Sequence, residues 1–214
     1  MARPVFWRSG AAEDAVPRIA HLDRDRPLVE AARRDPERFE ALYRRYLAPV
    51  YSYAYYELGD HHAAEDATER TFLAALANLH RFEERARPAD GDGASTFKVW
   101  LFRIARNVVA NERRTARRHP AAVLDEPTAA IIADPLDVEG DTVRRDEAAA
   151  AWRAVGRLPG DRRRAVVLRF VDELSTAEIA GVMGRSEAAV RVLIHRALRT
   201  VARDLAGRGR DGDR

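Results

Sequence analysis

The run from Leu174 to Val201, LSTAEIAGVMGRSEAAVRVLIHRALRTV, admits few folds. Ser175 followed by Glu178 is the start pattern in which the serine hydroxyl and the glutamate carboxylate each cap a backbone N–H of the first turn. Ile179 and Val182 give a short helix one apolar side. Met183-Gly184-Arg185 interrupts it, and Gly184 can take the positive φ that a tight turn needs. Ser186 caps a second helix, and Glu187 in its first turn suits the positive end of the helix dipole. Val190, Leu193, Ile194, Ala197, Leu198 and Val201 recur at i, i+3, i+4, i+7 spacing and predict one buried stripe. Glu187, Ala188, Arg191, Val192, His195 and Arg199 fall on the other side. A short helix, a glycine turn and a second helix with a basic outer face is the geometry of a helix-turn-helix. A plain helical hairpin with a solvated basic face has the same pattern, so the rest of the chain decides between them.

Composition narrows the field. The chain has 214 residues, 46% of them apolar, enough for one large or two small domains. Charged residues make up 33%, and the formal net charge of only +3, from 37 basic and 34 acidic residues, hides a segregated distribution along the chain. With no cysteine there are no disulfides, no thiol catalysis and no zinc–cysteine site. The first twenty residues hold no apolar run long enough for a signal peptide, and no stretch approaches a membrane span. A cytoplasmic protein without membrane insertion is expected.

In chain order, residues 1–34 mix Pro, Arg and Asp with scattered apolar residues and read as a flexible extension with a short helix around Leu28 to Arg34. Asp35-Pro36-Glu37 opens a helix with a cap, a proline in the first turn and an acid behind it. Its apolar positions are Phe39, Leu42, Tyr43, Tyr46, Leu47, Val50, Tyr53 and Ala54, and Leu58-Gly59 ends it. Asp60 caps a second helix running to about Arg81, with Ala64, Ala67, Phe72, Leu73, Leu76 and Leu79 on its apolar side. Pro88 and the Asp90-Gly91-Asp92-Gly93 run make residues 83–95 a loop. Ser95 or Thr96 then caps a third helix, FKVWLFRIARNVVANERRTARRH, whose stripe is Phe97, Trp100, Leu101, Ile104, Ala105, Val108 and Val109. That helix carries seven cations (Lys98, Arg103, Arg106, Arg113, Arg114, Arg117, Arg118) against the single acid Glu112. A solvated face usually mixes signs; this imbalance costs repulsion unless an anion is nearby and points to nucleic acid.

Residues 120–143 are rich in proline and acids and form a linker, either a plain tether or a mask over the basic surfaces. A second helical unit spans 144–205: Ala148 to Leu158 with Trp152 and Val155 inward, a turn at Leu158-Pro159-Gly160-Asp161, then Arg162 to Val171 with Val166, Val167, Leu168 and Phe170 apolar. The motif of the opening paragraph follows. The tail 206–214 is too glycine-rich and charged to fold. The fold class expected is all-α, two small helical domains (35–119 and 144–205) joined by a flexible acidic linker.

In this order the pieces resemble bacterial RNA polymerase sigma factors of the sigma-70 family, extracytoplasmic-function (ECF) type. FEALYRRYLAPVYSYAYYELGDHHAAEDATERTFLAAL resembles the first part of the family's region 2 and FKVWLFRIARNVVANERRTARR its promoter-melting, minus-10-reading helix. LPGDRRRAVVLRFVDELSTAEIAGVMGRSEAAVRVLIHRALRTV resembles region 4, which reads the minus-35 element. The resemblance implies binding to core RNA polymerase, through the clamp helices of its largest subunit and the flap of the second-largest, and to promoter DNA. It implies an anti-sigma partner as well, and no cofactor or metal. Asp66, Glu69, Arg70 and Phe72 match the docking helix; the family usually has Gln-Glu before the Thr/Ala-Phe pair, where this chain has Glu69-Arg70, so Arg70 departs from the pattern. The 83–95 loop occupies the place where the family captures a base flipped from the duplex.

Reading a melted strand takes cations along the backbone and flat surfaces for bases. Lys98, Phe102, Arg103, Arg106, Asn107, Asn111 and Arg114 are the expected minus-10 residues. Phe102 and Asn107 are the candidates for base contact, whereas Phe97 and Trp100 fall on the core stripe. For minus-35, the N-terminal residues Glu187, Ala188 and Arg191 meet base edges, with Arg191 suited to guanine and Glu187 to cytosine. Ser186, Arg185 and Arg199 suit phosphate, and His195 serves equally as a contact or a surface residue.

Two other classes fit parts of the chain. His61/Glu65 and His62/Asp66 are i, i+4 pairs and suggest a metal site, although a solvated helix start rich in acids has the same look. No Ser-His-Asp set, P-loop or GxGxxG pattern is present, so no catalytic residues are expected. A helix-turn-helix regulator acting without polymerase is the nearer alternative; it leaves the basic helix of residues 97–118 and the docking helix unexplained.

Overall fold

A computed structural model describes residues 22–87, 90, 92–118 and 150–211, and throughout them the regular structure is helical. The linker 120–143 and residues 1–21 lie outside the described residues, as do 212–214 of the tail.

The N-terminal module has four α-helices. Helix α1 (Arg26–Arg34) begins with a proline in its first turn and buries Val29 and Ala32. It is not part of a flexible extension: Arg26 N–H bonds to the Gly93 carbonyl at 3.1 Å and Ser95 N–H to the Asp23 carbonyl at 2.9 Å, tying the segment to the 83–95 loop. Asp35 caps a 3-10 turn (Pro36–Arg38) that runs into α2 (Phe39–Leu58). Gly59, at φ 76°, ends α2 in the left-handed region that favours glycine. The Asp60 carboxylate accepts from Ala63 N–H at 2.7 Å and starts α3 (His61–Asn78), and Leu79–Arg81 closes it with a 3-10 turn. Helix α4 (Phe97–Arg118) packs on α2 and α3. Ser95 caps it from a buried position, its hydroxyl accepting from Phe97 N–H at 3.1 Å.

The C-terminal module comprises helical residues 150–156 (α5), α6 (Gly160–Phe170), α7 (Thr176–Met183) and α8 (Glu187–Asp211). Its own small core joins Ala154, Val155 and Leu158 to Val166, Ala197 and Val201. Helix α8 continues beyond Leu205, where a disordered tail is expected.

The two modules share one continuous core. Phe97, Val99, Leu101 and Phe102 of α4 belong to the same buried cluster as Ile179, Val182, Met183 and Val190 of α7 and α8. Tyr56 meets Trp152 across the same boundary, with ring centroids 5.1 Å apart. Several residues of the expected stripes stay outside it: Tyr43, Leu47, Leu73, Leu76, Phe170 and Leu198 are exposed. Among the described residues no helix is long and apolar enough to cross a membrane.

Candidate nucleic-acid interface

The helix-turn-helix forms as its sequence predicts. Ser175 and Glu178 make the reciprocal cap, at 3.2 Å from Glu178 N–H to the serine hydroxyl and 2.8 Å from Ser175 N–H to the carboxylate. Gly184 turns the chain at φ 65°, and the Ser186 hydroxyl accepts from Ala189 N–H at 3.2 Å. The N-terminal half of α8 thus projects with Ala188, Arg191, Val192, His195 and Arg199 exposed. The Arg191 side chain is 64% exposed, held in place by Glu187 one turn back at 3.3 Å. Arg185 is ion-paired with Asp161 at the start of α6, which fixes the turn against the preceding helix.

Helix α4 presents its cations unevenly. Asn111 and Arg114 are exposed and Asn107 half-buried. Lys98 is largely covered, 3.5 Å from Asp23 and 4.0 Å from Glu178. Arg103 and Arg106 turn toward the C-terminal module, donating to the Gly181 carbonyl at 2.6 Å and the Val182 carbonyl at 2.7 Å. Burial, with Arg85 and Arg106 nearby, holds the Arg103 guanidinium below the usual arginine range. Arg113 is committed elsewhere, to Glu57 at 2.8 Å.

Phe102 is not a base-contact residue. It is 0% exposed and packs edge-to-face on Tyr53, with ring centroids 5.8 Å apart. Its place in the heptad lies between the two stripes of a helix that is buried on both sides, by α2 and α3 on one and by α7 on the other. The aromatic ring that does reach a cleft is Trp100. It lies with Phe82, Arg81, Arg85, Arg103 and Arg185 in a space of about 570 Å³ between the 83–95 loop and α7. The loop is organised by Glu84, whose carboxylate accepts from Arg85, Ala86 and Thr96 N–H and from the Thr96 hydroxyl at 2.8–3.0 Å. Burial pushes that carboxyl up, but the hydrogen bonds from Ser95, Ala86 and Thr96 outweigh it and leave it below the usual range.

On the opposite side of the N-terminal module, α2 and α3 leave an apolar groove of about 490 Å³ lined by Phe39, Tyr43, Leu47, Phe72, Leu73 and Leu76, with Glu69 on its rim. Leu73 is 58% exposed. An open patch of this kind marks a contact surface. Asp66 and Glu69 are exposed beside it, and Phe72 forms its floor against Phe39 and Tyr43. Arg70 reaches Asp66 at 4.0 Å and pairs with Glu112 of α4. Of the residues expected to dock, Glu69 and Phe72 line the groove, Asp66 is exposed on the same helix, and Arg70 turns to α4.

His61 stacks on Tyr55, with ring centroids 4.4 Å apart, and its Nδ1 lies 2.6 Å from the Tyr51 hydroxyl; His62 faces Glu65 at 3.7 Å. Among the described residues no three His, Asp or Glu side chains gather as a metal site.

Three buried acids carry weight that periodicity does not reveal. Glu57, near the end of α2, gathers Arg113, Arg163 and Arg164 at 2.8, 3.7 and 3.4 Å. Asp25 is fully buried, bonded by the Tyr46 hydroxyl and 3.1 Å from Arg45; burial holds its carboxyl above the usual range despite both partners. Asp172, at the C-terminal end of α6, is buried with neither carboxylate oxygen hydrogen-bonded, and burial raises its pKa well above 3.8. For Glu57 the available signal is charge inside an otherwise apolar neighbourhood, among Tyr53, Ala54 and Tyr56.

Comparison with known proteins matches both modules. A model described as Sigma-70 region 2 matches residues 42–119, and one described as Sigma-70, region 4 matches residues 148–201. The ECF RNA polymerase sigma factor BldN of Streptomyces coelicolor is 38% identical over 181 residues, 82% of this chain and 64% of BldN. The ECF RNA polymerase sigma factor SigL of Mycobacterium tuberculosis is 30% identical over 172 residues, 80% of this chain and 90% of SigL. Among solved structures, CnrH in complex with the cytosolic domain of CnrY is similar with a TM-score of 0.58 at 25% identity, covering 86% of this chain and 99% of CnrH.

Proposed function

The chain belongs to the ECF sigma factors of the sigma-70 family, and we propose that it binds core RNA polymerase and directs it to a two-element promoter. The observation that carries this reading is the presence of both modules, in order, in one chain. Region 4 alone would fit a helix-turn-helix regulator; region 2 with its apolar groove has no use in such a protein.

In this reading the α2–α3 groove receives the clamp helices, with Phe72, Leu73 and Leu76 supplying apolar contact and Asp66 and Glu69 supplying charge. The helix α8 enters the major groove of the minus-35 element by its N-terminus, as recognition helices do. Arg191 meets guanine, Glu187 and Ala188 neighbouring base edges, and Arg185, Ser186 and Arg199 the phosphates, with His195 at the margin. Helix α4 follows the melted minus-10 strand through Arg103, Arg106, Asn107, Asn111 and Arg114, with Lys98 at its start and Trp100 offering the ring that Phe102 cannot. Contacts to phosphate set register and those to base edges set sequence. In this role the chain needs no catalytic group, cofactor or metal; the chemistry is the polymerase's, and the two work in the cytoplasm. An anti-sigma protein is the second partner expected from the family resemblance.

The test is assembly with core polymerase. The chain should co-elute with purified core enzyme as a one-to-one complex, and Asp66→Arg should weaken that complex while region 4 still binds DNA. A chain that binds duplex DNA tightly but never joins core would favour the regulator instead.

A further inference from the structure

The wall of the cleft that holds Trp100 is tied to α1 at both ends. Backbone outside a helix leaves carbonyls that need donors, and a guanidinium supplies a rigid fork of them. Arg33, in the last turn of α1, donates to the carbonyls of Leu79 at 3.3 Å and His80 at 3.5 Å and to that of Phe82. The same guanidinium lies 5.9 Å from the centroid of the Phe82 ring. Arg26, in the first turn, donates to the carbonyls of Ala86 at 2.9 Å and Ala94 at 3.2 Å, and its backbone N–H to that of Gly93. Arg81, Phe82 and Arg85 fall within this stretch and line the cleft beside Trp100. Phe82 is buried and backs the Trp100 ring, with centroids 5.3 Å apart. Helix α1 is fixed in turn to α2. Asp25, just before it, is fully buried, accepts from the Tyr46 hydroxyl and lies 3.1 Å from Arg45. Burying a carboxylate is costly even when it is paired, and α1 supplies no residue to the docking groove. What Asp25 does is set where α1 starts, and so where Arg26 and Arg33 reach.

We propose that α1 is the strut of the strand-reading cleft, with Arg26 and Arg33 as positioning residues that hold residues 82–86 so that Trp100 offers its ring to one unpaired base. This rests on the strand-reading role given to α4 and Trp100 above. Neither arginine touches the base; each acts through Phe82 and the backbone around it. A platform fixed in advance spares the strand the ordering cost that a loose loop would impose, and stacking then rewards the base that lands on it.

The probe is a single-stranded DNA recovered from a random-sequence pool on holoenzyme made from core polymerase and the wild-type chain, then titrated by fluorescence anisotropy against holoenzymes carrying each variant. Arg26→Ala should weaken strand binding by about tenfold, within the range that loss of one base–aromatic stack costs, with melting temperature and core affinity unchanged. Trp100→Ala should lose at least as much. Arg26→Ala/Trp100→Ala should lose no more than Trp100→Ala alone, because the two residues act on one contact. Arg26→Lys keeps the charge without the fork; its strand affinity should fall between wild type and Arg26→Ala, and it carries the same comparison if alanine unsettles the module. In the free chain, amide exchange should quicken over residues 82–87 in Arg26→Ala and stay as it was in α2 and α3. Losses that add would make Arg26 a DNA contact in its own right, and unchanged exchange over 82–87 would remove the strut. A fall in melting temperature and core affinity in both Arg26 variants would leave a packing role only. Each of these three results overturns the proposal. Failure of the wild-type chain to join core polymerase would overturn the sigma reading instead, with amide exchange still deciding whether α1 holds the loop.

Discussion

Arg70 of α3 is ion-paired with Glu112 of α4, across the crossing of the two helices. Each residue is the odd one in its setting. Arg70 departs from the Gln-Glu that sigma factors usually carry before the Thr/Ala-Phe pair, and Glu112 is the single acid on a helix with seven cations. The pairing explains both: the arginine turns toward α4 and away from the docking groove, and the acid offsets some of that helix's repulsion.

Replacing Arg70 by glutamine should therefore cost little. Arg70 is half exposed and Glu112 partly so, and ion pairs open to solvent contribute about 0–1 kcal/mol. Chemical denaturation should show a loss inside that range, with core affinity unchanged. A loss of several kcal/mol would mean that the pair anchors α3 to α4.

The groove between α2 and α3 should matter to binding but not to folding. Leu73→Asp replaces an exposed leucine, so its melting temperature should stay near wild type. Core polymerase affinity should fall by about 1–3 kcal/mol, a usual range for a central apolar contact. An unchanged titration against core would remove the groove from the interface.

Arg191→Ala should weaken duplex binding by about 1–3 kcal/mol and relax preference at one position. Arg191 is itself exposed and holds Glu187 one turn back on the same helix, so neither folding nor core binding should respond. A uniform loss across all DNA sequences would make Arg191 a phosphate contact.

Asp172 predicts a pH dependence of stability. Burial raises its carboxyl in the folded chain well above 3.8, and the carbonyl end of α6 disfavours its charge further. A raised folded value means that the folded state holds the proton more tightly. The stability this supplies is complete below the unfolded value and is lost as pH climbs through the folded one. Asp172→Asn should match wild type near pH 3.5 and exceed it by about 1–3 kcal/mol at neutral pH, the range for an unsatisfied buried polar group. Denaturation across pH with no divergence between the two would show that Asp172 finds a partner in solution.

Much of this was legible in the sequence because it is local. The Ser175–Glu178 cap, the Gly59 and Gly184 turns, the Asp60 cap and the α4 boundaries depend on neighbours within one turn of helix, and they fall where spacing puts them. Burial is not local. Phe102 looks like an exposed ring because periodicity assumes that a helix has one buried face; α4 is covered by α2 and α3 and also by α7. Leu73 and Leu76 look like core because the same rule cannot tell an interior stripe from one kept for a partner. The attachment of residues 22–34 runs in part through backbone bonds to Gly93 and Ser95 that no side-chain pattern announces. Glu57 shows the limit most clearly. Its three arginines come from α4 and α6, up to 107 residues away.

Phe102→Ala measures that difference directly. Deleting a buried phenylalanine costs about 3–5 kcal/mol, so the variant should be strongly destabilised by chemical denaturation. A fully stable variant with impaired strand binding would restore Phe102 to the interface.

The central claim is that this chain confers promoter recognition on a polymerase that lacks it. Core enzyme should be mixed with fragmented genomic DNA from the source organism, with and without the chain, and the transcript starts sequenced. The account predicts a new set of starts that share two upstream motifs at fixed spacing and vanish when the chain is omitted. Starts that are the same with and without it would contradict the account.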